Sequence, residues 1–418
     1  MSFIEIVGGN KLYGEINIQG SKNAVLPILA ATILVKGKSK IRHCPRIKDV
    51  FIMVKILESI GCKVWWEENS ICVDASYLKE ITIPDEYVKE MRSSIILMGA
   101  VLGRLHNVSI SYPGGCTIGE RPIDYHLKSL RQLNIQIDET EERIYCSTKN
   151  IIGTEIHLNF PSVGTTENII LASVLATGIT RIHNAAREPE IDDLCNFLNQ
   201  CGAHITGIGT EHLKIEGVVS LSGTDYTVSY DRIVAGTYLT MVAATGGKVQ
   251  LNGVNPKHLA SVIPLLSEMG CQIVTGKNHI DIKSNGKLEA PPIIVTRPYP
   301  GFPTDLQSQF LSLATTCNGS TVIVENIFEA RYSNVPELIR MGADIFVRGR
   351  TAVIQGVKEL EGTDVYAKDL RAGAALVLSG LIAKGVTRVY NTVYIERGYE
   401  DICKDLHSLG AMIQYVLC

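Results

Sequence analysis

A glycine-rich segment of the sequence carries a cysteine that is followed, five residues later, by an arginine. Residues 112–124 contain three glycines around Cys116 and Arg121, so the segment is predicted to be a loop. Such a loop lets a thiol reach a ligand, and a neighbouring cation favours the thiolate, which is the nucleophilic form. A buried structural cysteine is the alternative interpretation of this segment.

A carboxylate follows a rigid, proline-rich segment. Residues 297–304 hold three prolines and one glycine, and Asp305 comes directly after them at a predicted helix start. A lone carboxylate at a helix N-terminus is usually a cap. In a binding cleft, the same carboxylate held at a fixed position can accept a proton from a substrate hydroxyl. The residues alone leave both interpretations open.

Basic residues from both halves of the chain are candidates for an anion site. Lys22, Arg121, Arg331, Arg371 and Arg397 would together form a clamp for phosphate and carboxylate groups. The sequence contains no P-loop and no credible dinucleotide-binding glycine motif. A nucleotide would therefore be held without those devices.

The chain repeats one short pattern six times: Leu, three residues, Gly or Asn, two residues, then Ile or Val. The marker residues are Gly61, Asn134, Gly202, Gly270, Gly342 and Gly410, with spacings of 73, 68, 68, 72 and 68. Gly and Asn tolerate the left-handed conformation that ends a helix, so each marker predicts a helix followed at once by a strand. Between the markers lies a second pattern, in which an apolar helix is followed by a Gly-containing turn and a β-branched strand. These helices are apolar on most faces and are predicted to be buried.

The first helix of each repeat begins with polar or charged residues. These starts include Lys22 and Asn23, Arg92, Ser162 to Gly164, Asp231, Asp305, and Asp369 with Arg371. Helix starts expose unpaired backbone N–H groups and attract anions. Because the six starts share one period, we expect them to converge on a cationic cleft. Ordinary N-caps are the alternative.

These patterns predict an α/β fold of two similar domains. Each domain has three repeats of a βαβαβ-type unit of about 70 residues, with sheets surrounding buried helices, an inside-out α/β barrel. The predicted domains are residues 21–228 and residues 229–418. Residues 1–20 look like strands and are expected to join the second domain.

Composition excludes several classes of function. The net charge is −3, aromatic residues make up 6%, and no basic block is present, so neither a nucleic-acid nor a membrane partner is expected. The first ten residues do not resemble a signal peptide, and the longest apolar run is too short to span a bilayer. Eleven cysteines without a C-x-x-C pair indicate neither disulfides nor a zinc site, so we expect a cytoplasmic protein with no bound metal. The oligomeric state is left open.

Several segments together identify a resemblance to a known family. They are 20–24 (around Lys22), 113–119 (around Cys116), 121–124, 184–190, 302–307 (around Asp305), 369–372 and 397–400. The chain resembles the bacterial UDP-N-acetylglucosamine 1-carboxyvinyltransferases over essentially its whole length. The resemblance implies the two-domain fold, with the active site in the cleft between the domains.

The resemblance also implies a reaction. The enolpyruvyl group of phosphoenolpyruvate is transferred to the 3′-hydroxyl of UDP-N-acetylglucosamine by addition and elimination, with release of phosphate. This is the first committed step of peptidoglycan precursor synthesis, needs no cofactor, and is the target of fosfomycin in the family. Cys116 would be the general acid and would form a covalent adduct with phosphoenolpyruvate, and Asp305 would take the proton from the hydroxyl.

The remaining roles follow from the same resemblance. Phosphoenolpyruvate would contact Lys22, Asn23, Arg121, Arg371 and Arg397. The UDP-sugar would contact Asn23, Arg92, Arg121, Pro122, Ile123, Asp124, Tyr125, Ser162, Val163, Gly164, Asp305 and Ile327. Asp231, Arg331 and Asp369 would line the cleft. One departure is Phe160, which stands where some members have a lysine near the uridine.

Three alternatives compete with this interpretation. The sister enzyme of the shikimate route moves the same group onto shikimate 3-phosphate, and a specialised paralogue would act on another nucleotide. A non-enzymatic repeat scaffold would bind a partner protein instead. The scaffold gives no reason for Lys22, Cys116, Asp305 and Arg397 to serve one cleft.

Overall fold

A computed structural model describes residues 2–79, 81–114, 118–119 and 123–417 of the 418-residue chain. Three predicted site residues, Cys116, Arg121 and Pro122, lie outside the described residues. The chain divides into two compact units. The N unit comprises residues 20–79, 81–114 and 123–229, and the C unit comprises residues 2–19, 118–119 and 230–417.

Strands and helices alternate along the chain. The strands are β1 Phe3–Val7, β2 Leu12–Asn17, β3 Lys38–Arg42, β4 Lys63–Glu67, β5 Ser70–Asp74, β6 Asn107–Ser111, β7 Gln136–Glu139, β8 Arg143–Ser147, β9 Glu155–His157, β10 Ile179–His183, β11 His204–Thr206, β12 His212–Glu216, β13 Asp225–Thr227, β14 Gly247–Asn252, β15 Gln272–Thr275, β16 His279–Ser284, β17 Ile293–Val295, β18 Ser320–Val324, β19 Asp344–Arg348, β20 Thr351–Gln355, β21 Asp364–Tyr366, β22 Val386–Tyr390 and β23 Met412–Val416. The α-helices are α1 Lys22–Ala31, α2 Lys48–Ser59, α3 Asp85–Glu90, α4 Leu97–Leu105, α5 Asp124–Gln132, α6 Val163–Ser173, α7 Pro189–Gln200, α8 Arg232–Thr245, α9 Ile263–Glu268, α10 Gln307–Ala314, α11 Val335–Arg340, α12 Leu370–Ile382 and α13 Ile402–Ser408. Short 3₁₀ helices cover Thr32–Leu34, Arg92–Ile96, Pro256–Leu259, Thr304–Leu306 and Thr392–Arg397.

The six sequence markers end helices as predicted. Gly61, Asn134, Gly202, Gly270, Gly342 and Gly410 all have positive φ, between 64° and 112°. Each is followed within a few residues by a strand: β4, β7, β11, β15, β19 and β23 respectively. Because Gly and Asn adopt this conformation at low cost, the helix can stop and the chain can turn directly into the sheet.

Each unit contains three sheets among its described residues. In the N unit their strand orders are β13-β3-β5-β4, β6-β8-β7 and β11-β12-β10-β9, and in the C unit they are β15-β16-β14-β2, β17-β18-β20-β19 and β21-β22-β1-β23. The five sheets of four strands share one pattern, in which a single outer strand pairs in parallel with an otherwise antiparallel sheet. The common pattern reflects the sequence repeat.

The helices that start each repeat form the centre of each unit. In the N unit these are α1, α4 and α6, and in the C unit they are α8, α10 and α12, and almost all of their residues are buried. They belong to two separate hydrophobic cores. The predicted α/β class with sheets around buried helices is therefore confirmed.

Close approach of the central helices depends on small residues. The backbone N–H of Gly99 in α4 donates to the side-chain oxygen of Asn168 in α6 at 2.8 Å. A Cβ at position 99 would lie 2.4 Å from the Asn168 backbone oxygen. Two apolar helices can therefore pack closely enough to be enclosed by sheets on every side.

The first strands of the chain complete sheets of the C unit. Strand β1 lies between β22 and β23 and is antiparallel to both, with Phe3 opposite Tyr390 and Val416. Strand β2 pairs in parallel with β14. Since β1 is a central strand, the sheet of the last repeat cannot form without the N-terminal segment.

Two further observations concern the described part of the chain. Its nine cysteines are all buried. None of its helices is both long enough and apolar enough to cross a membrane.

The placement of β1 gives a stability prediction. Ile6 is fully buried in the C unit, whereas its neighbour Val7 points outward and is 36% exposed. We expect Ile6→Ala to cost about 2–5 kcal/mol through lost burial and a residual cavity, and Val7→Ala to cost far less. Hydrogen exchange should show faster exchange in β22 and β23 for Ile6→Ala. Equal effects of the two variants, or a loss confined to the N unit, would contradict the assignment of β1.

Candidate active site

The carboxylate of Asp305 is held between two arginine side chains of the C unit. Asp305 is the middle residue of the 3₁₀ helix Thr304–Leu306, and Pro303 occupies the N-cap position before it. One carboxylate oxygen accepts a hydrogen bond from Arg331, and the other lies 3.1 Å from Nη2 of Arg371. The side chains of the two arginines are only 3% and 5% exposed. The structure thus brings together three residues that the sequence predicted separately.

The electrostatic balance at Asp305 favours the ionised carboxylate. Burial by itself raises the pKa of Asp305, but the charges of Arg371 and Arg331 outweigh it and hold the pKa well below its usual range. Burial likewise lowers the pKa of Arg371, and the charge of Asp305 more than reverses this effect. Asp305 and Arg371 are therefore charged together at neutral pH.

Two surrounding interactions position this group. The Arg331 Nε–H donates to the backbone oxygen of Thr304 at 3.2 Å, which orients the guanidinium along the 3₁₀ helix. The hydroxyl of Thr304 donates to the carboxylate of Glu325 at 2.9 Å. Glu325 is fully buried and also accepts the backbone N–H groups of Ile327 and Phe328 at 2.7 Å and 3.0 Å. Glu325 therefore connects the predicted substrate residue Ile327 to the turn that carries Asp305.

Two predicted cleft carboxylates act as helix caps. Asp369 accepts the backbone N–H groups of Arg371 and Ala372, both at 3.0 Å, and also the hydroxyl of Ser333 at 2.6 Å. Asp231 caps α8 in the same way, with donors at 2.9 Å and 3.0 Å. The ordinary N-cap interpretation therefore describes what these side chains do in the structure, and by fixing the start of α12, Asp369 also orients Arg371.

The N unit carries the other predicted basic residues. Lys22 is the first residue of α1, is 9% exposed, and pairs with Asp49 at 2.8 Å. Asp49 is 1% exposed, so Lys22 has a buried counter-charge. Arg92 begins the 3₁₀ helix Arg92–Ile96 and donates to the backbone oxygen of Pro113 at 3.2 Å. Asn23, next to Lys22 in α1, is half-buried.

The remaining predicted substrate residues lie at the starts of α5 and α6, in the segment after β18, and at the end of a 3₁₀ helix. Ile123 is buried, Asp124 and Tyr125 are exposed, Ser162, Val163, Gly164 and Ile327 are half-buried, and Arg397, assigned to phosphoenolpyruvate, is the half-buried last residue of Thr392–Arg397. The hydroxyl of Ser162 accepts the N–H of Thr165 at 3.4 Å and so caps α6.

Several buried carboxyl groups were missed by the sequence analysis, among them three in or near the candidate site residues. Two of these are Asp49 and Glu325. The third is Glu167 in α6, whose pKa is raised well above its usual value by burial and by the nearby charges of Glu190 and Glu188. An acidic residue inside an apolar helix was the only signal for Glu167 in the sequence, and no local pattern indicated the others.

Comparison with protein families gives a match to most of the chain. Residues 6–406 match the family model described as EPSP synthase (3-phosphoshikimate 1-carboxyvinyltransferase). Among solved structures, the enolpyruvyl transferase NikO from Streptomyces tendae covers 100% of this chain and 99% of its own, with a TM-score of 0.90 at 24% identity. EPSP synthase from Acinetobacter baumannii covers 100% of both chains, with a TM-score of 0.76 at 18% identity. These two likenesses support the fold.

Comparison with characterised sequences is more specific. UDP-N-acetylglucosamine 1-carboxyvinyltransferase 2 of Caldanaerobacter subterraneus subsp. tengcongensis is 52% identical over 100% of both chains. UDP-N-acetylglucosamine 1-carboxyvinyltransferase 1 of Clostridium acetobutylicum is 48% identical over 98% of this chain and 99% of its own. The corresponding protein 1 of Staphylococcus aureus is 44% identical over 100% of both chains.

The family match and the fold define the class, which is that of the enolpyruvyl transferases. With full-length relatives at 44–52% identity, the chain belongs to the UDP-N-acetylglucosamine 1-carboxyvinyltransferase family within that class.

The geometry around Asp305 gives a second stability prediction. In Asp305→Asn, two buried guanidiniums lose their shared counter-charge, so we expect a loss of about 3 kcal/mol in the free energy of unfolding at pH 7.5. Urea denaturation measures this loss. Asp225→Asn, which breaks the exposed pair with Arg42, should cost much less because solvent screens that pair.

The difference in free energy of unfolding between wild type and Asp305→Asn should shrink as the pH is lowered. The pKa of Asp305 is lower in the folded state than in the unfolded state, so its stabilising effect is complete above the unfolded pKa and is lost as the pH falls. The difference between wild type and Asp305→Asn should stay constant from pH 7.5 to about 5.5 and shrink below about pH 5. A variant as stable as wild type at pH 7.5 would contradict the buried charge pair.

Proposed function

We propose that this protein transfers the enolpyruvyl group of phosphoenolpyruvate to the 3′-hydroxyl of UDP-N-acetylglucosamine and releases phosphate. The observation that carries the proposal is the full-length identity of 44–52% to relatives that are named for this reaction. The product begins peptidoglycan precursor synthesis. Eleven cysteines without a C-x-x-C pair or a disulfide-framework spacing fit a reducing compartment, so we place the reaction in the cytoplasm.

The proposed reaction has two stages. In the addition, the sugar oxygen forms a bond to C2 of phosphoenolpyruvate, C3 takes a proton from the thiol of Cys116, and Asp305 takes the proton of the hydroxyl. In the elimination, a proton of C3 passes to the thiolate of Cys116, the bond between C2 and the phosphate oxygen breaks, and the proton held by Asp305 goes to the departing phosphate. Both side chains thereby return to their starting states, and a tetrahedral intermediate lies between the two stages.

Asp305 meets only half of the requirement for this role. A general base must be ionised, and the two arginines ensure that it is. A base is most effective, however, when its pKa is close to the working pH, and the same arginines hold the pKa of Asp305 far below that. In this arrangement Asp305 is ionised but is too weak a base to take the hydroxyl proton effectively.

We propose that binding of the anionic substrate draws one arginine away from the Asp305 carboxylate. Phosphoenolpyruvate carries a phosphate and a carboxylate, both of which are preferred partners of arginine. When Arg371 turns from Asp305 to the substrate, the carboxylate loses one counter-charge while burial continues to act, so its pKa rises. Binding of one substrate would thereby activate the base that deprotonates the other.

We also propose further binding residues for each substrate. For phosphoenolpyruvate we propose Lys22 and Asn23 of the N unit, Arg371 and Arg397 of the C unit, and Arg121. Lys22 would exchange or share its ion pair with Asp49, which keeps the buried ammonium charged and in place when no substrate is bound. For the UDP-sugar we propose the helix starts that carry Asn23, Arg92, Asp124 with its neighbours, and Ser162 to Gly164, with Ile327 and Asp305 from the C unit.

The first test is the reaction itself. Phosphate release on mixing phosphoenolpyruvate with UDP-N-acetylglucosamine is the expected outcome, and shikimate 3-phosphate in place of the nucleotide sugar should give none. Asp305→Asn should lower turnover by about 10²–10⁴-fold, whereas Asp225→Asn should leave it unchanged. If phosphoenolpyruvate releases phosphate with shikimate 3-phosphate but not with UDP-N-acetylglucosamine, the protein catalyses the sister reaction and the proposal is wrong. Wild-type turnover in Asp305→Asn would show that Asp305 is not the general base and would leave the proposed overall reaction unchanged.

The second test addresses Cys116 by chemical modification. A phosphonate epoxide such as fosfomycin, bound as a phosphoenolpyruvate mimic, should alkylate Cys116, and UDP-N-acetylglucosamine should accelerate the reaction. The nine described cysteines should not react, because they are buried and burial raises the pKa of thiols such as Cys62 and Cys201 to about 12. Peptide mass spectrometry identifies the adduct.

Variants at the same position separate the acid from the nucleophile. Cys116→Ser should lose the adduct and most of the activity. Cys116→Asp should keep activity, because a carboxylic acid also donates a proton, and should resist the epoxide. Modification of another cysteine, or full activity in Cys116→Ala, would show that the assigned role is wrong.

A further inference from the structure

Three histidines lie side by side on the outer face of one N-unit sheet. His157 is on β9, His183 on β10 and His212 on β12, and the strand register places His183 directly opposite both of the others. Their neighbours Ile156 and Ile182 are buried in the core. Because successive side chains of a strand point to opposite faces, the histidines share the face that points away from the core.

The three imidazole rings are in contact. The rings of His157 and His183 are stacked, with centroids 4.3 Å apart and planes 8° from parallel. The Nδ1 atoms of His183 and His212 are 3.2 Å apart, which is hydrogen-bond distance. The central ring, His183, therefore has one nitrogen engaged by a neighbouring histidine.

The second nitrogen of His183 is the unusual feature. Its Nε2 is buried and has no hydrogen-bond partner among the described residues. If Nδ1–H donates to His212, Nε2 carries a lone pair with no donor to satisfy it. A metal-binding histidine is commonly fixed in this way, with one nitrogen held by a hydrogen bond and the other directed to the ion.

A carboxylate completes the set of ligands. Glu155 precedes His157 by two residues on β9 and so lies on the same face of the sheet. One ligand atom from each of Glu155, His157 and His183 can be chosen so that all three atoms lie within 4.8 Å of one another. Ligand atoms around a tetrahedral zinc ion are about 3.3–3.5 Å apart, given bonds of about 2.0–2.1 Å. Glu155 and His157 are exposed, so a rotation of their side chains can supply the remaining approach.

We propose that Glu155, His157 and His183 bind a divalent transition-metal ion of the zinc class, with His212 as the residue that orients His183. Two imidazoles and one carboxylate suit Zn²⁺ and its neighbours, whereas Mg²⁺ and Ca²⁺ prefer sites made of oxygen atoms. Water would fill the fourth position. The ion would join the three-residue outer strand β9 to β10, and its binding would stabilise the N unit by mass action.

Titration of the metal-free, full-length protein with Zn²⁺ tests the proposal. Calorimetry should find one bound ion in wild type. His157→Phe and His183→Phe keep an aromatic ring but remove the ligand, and each should weaken binding by at least about tenfold, while His212→Phe should weaken it by about 10–100-fold through loss of the orienting bond. His204→Phe, on β11 of the same sheet, should bind as wild type does. Binding should also weaken at low pH, because the ligands must be deprotonated.

Substitution of Co²⁺ for Zn²⁺ identifies the ligand atoms. The cobalt spectrum should show visible bands without a thiolate-to-metal charge-transfer band, because the proposed ligands contain no sulfur. Since His157 is exposed, His157→Phe should fold normally, and its unfolding midpoint without metal should equal that of wild type. Undiminished Zn²⁺ binding in His157→Phe, a thiolate band in the cobalt spectrum, or no saturable binding in wild type would each overturn the proposal.

Discussion

One carboxylate shared by two buried guanidiniums is the interaction on which the C-unit site depends. Arg331 and Arg371 are almost completely buried, and a buried guanidinium is stable only when an opposite charge and hydrogen bonds compensate its lost hydration. Asp305 supplies that compensation for both. The cap of α12 by Asp369 fixes the position of Arg371, and Glu325 fixes the turn that carries Asp305. These contacts hold the three charged side chains together at one place in the C unit.

The fold makes this arrangement possible by bringing helix starts together. Helices α10 and α12 pack against each other in the centre of the C unit, so residues 66 positions apart in the sequence meet at one end of the pair. The sequence repeat creates the same organisation in each unit, since every repeat places a buried helix beneath its sheet. At the starts of α8 and α12, the carboxylates of Asp231 and Asp369 accept the backbone N–H groups as caps.

Much of the fold could be predicted from the sequence. The site contacts that could not be predicted share one physical cause, which is that they depend on tertiary packing. The six positive-φ markers were predictable because Gly and Asn are locally required where a helix turns into a strand. The pairing of Lys22 with Asp49, or of Asp305 with Arg331, depends on tertiary packing and leaves no local pattern. Asp369 was predicted to line a cleft, and the structure shows it capping a helix, which the sequence had offered as the alternative.

The electrostatics also impose a condition on the chemistry. Arginines that keep a carboxylate ionised necessarily make it a weak base, so the same contacts cannot serve both the resting and the reacting protein. In the proposed mechanism, an anionic substrate would resolve this conflict by competing for the guanidiniums. The order in which charges are neutralised would then control when the proton is taken.

The protonation state of Asp305 is the most direct test of this account. Carbon-13 NMR of protein labelled at aspartate carboxyl carbons, with the Asp305 signal assigned by its absence in Asp305→Asn, follows that state as the pH is lowered. The account predicts no titration of Asp305 near the ordinary aspartate pKa of about 3.9 in wild type, and a rise of its pKa in Arg371→Met. A wild-type titration at or above the ordinary value, unchanged in Arg371→Met, would contradict it.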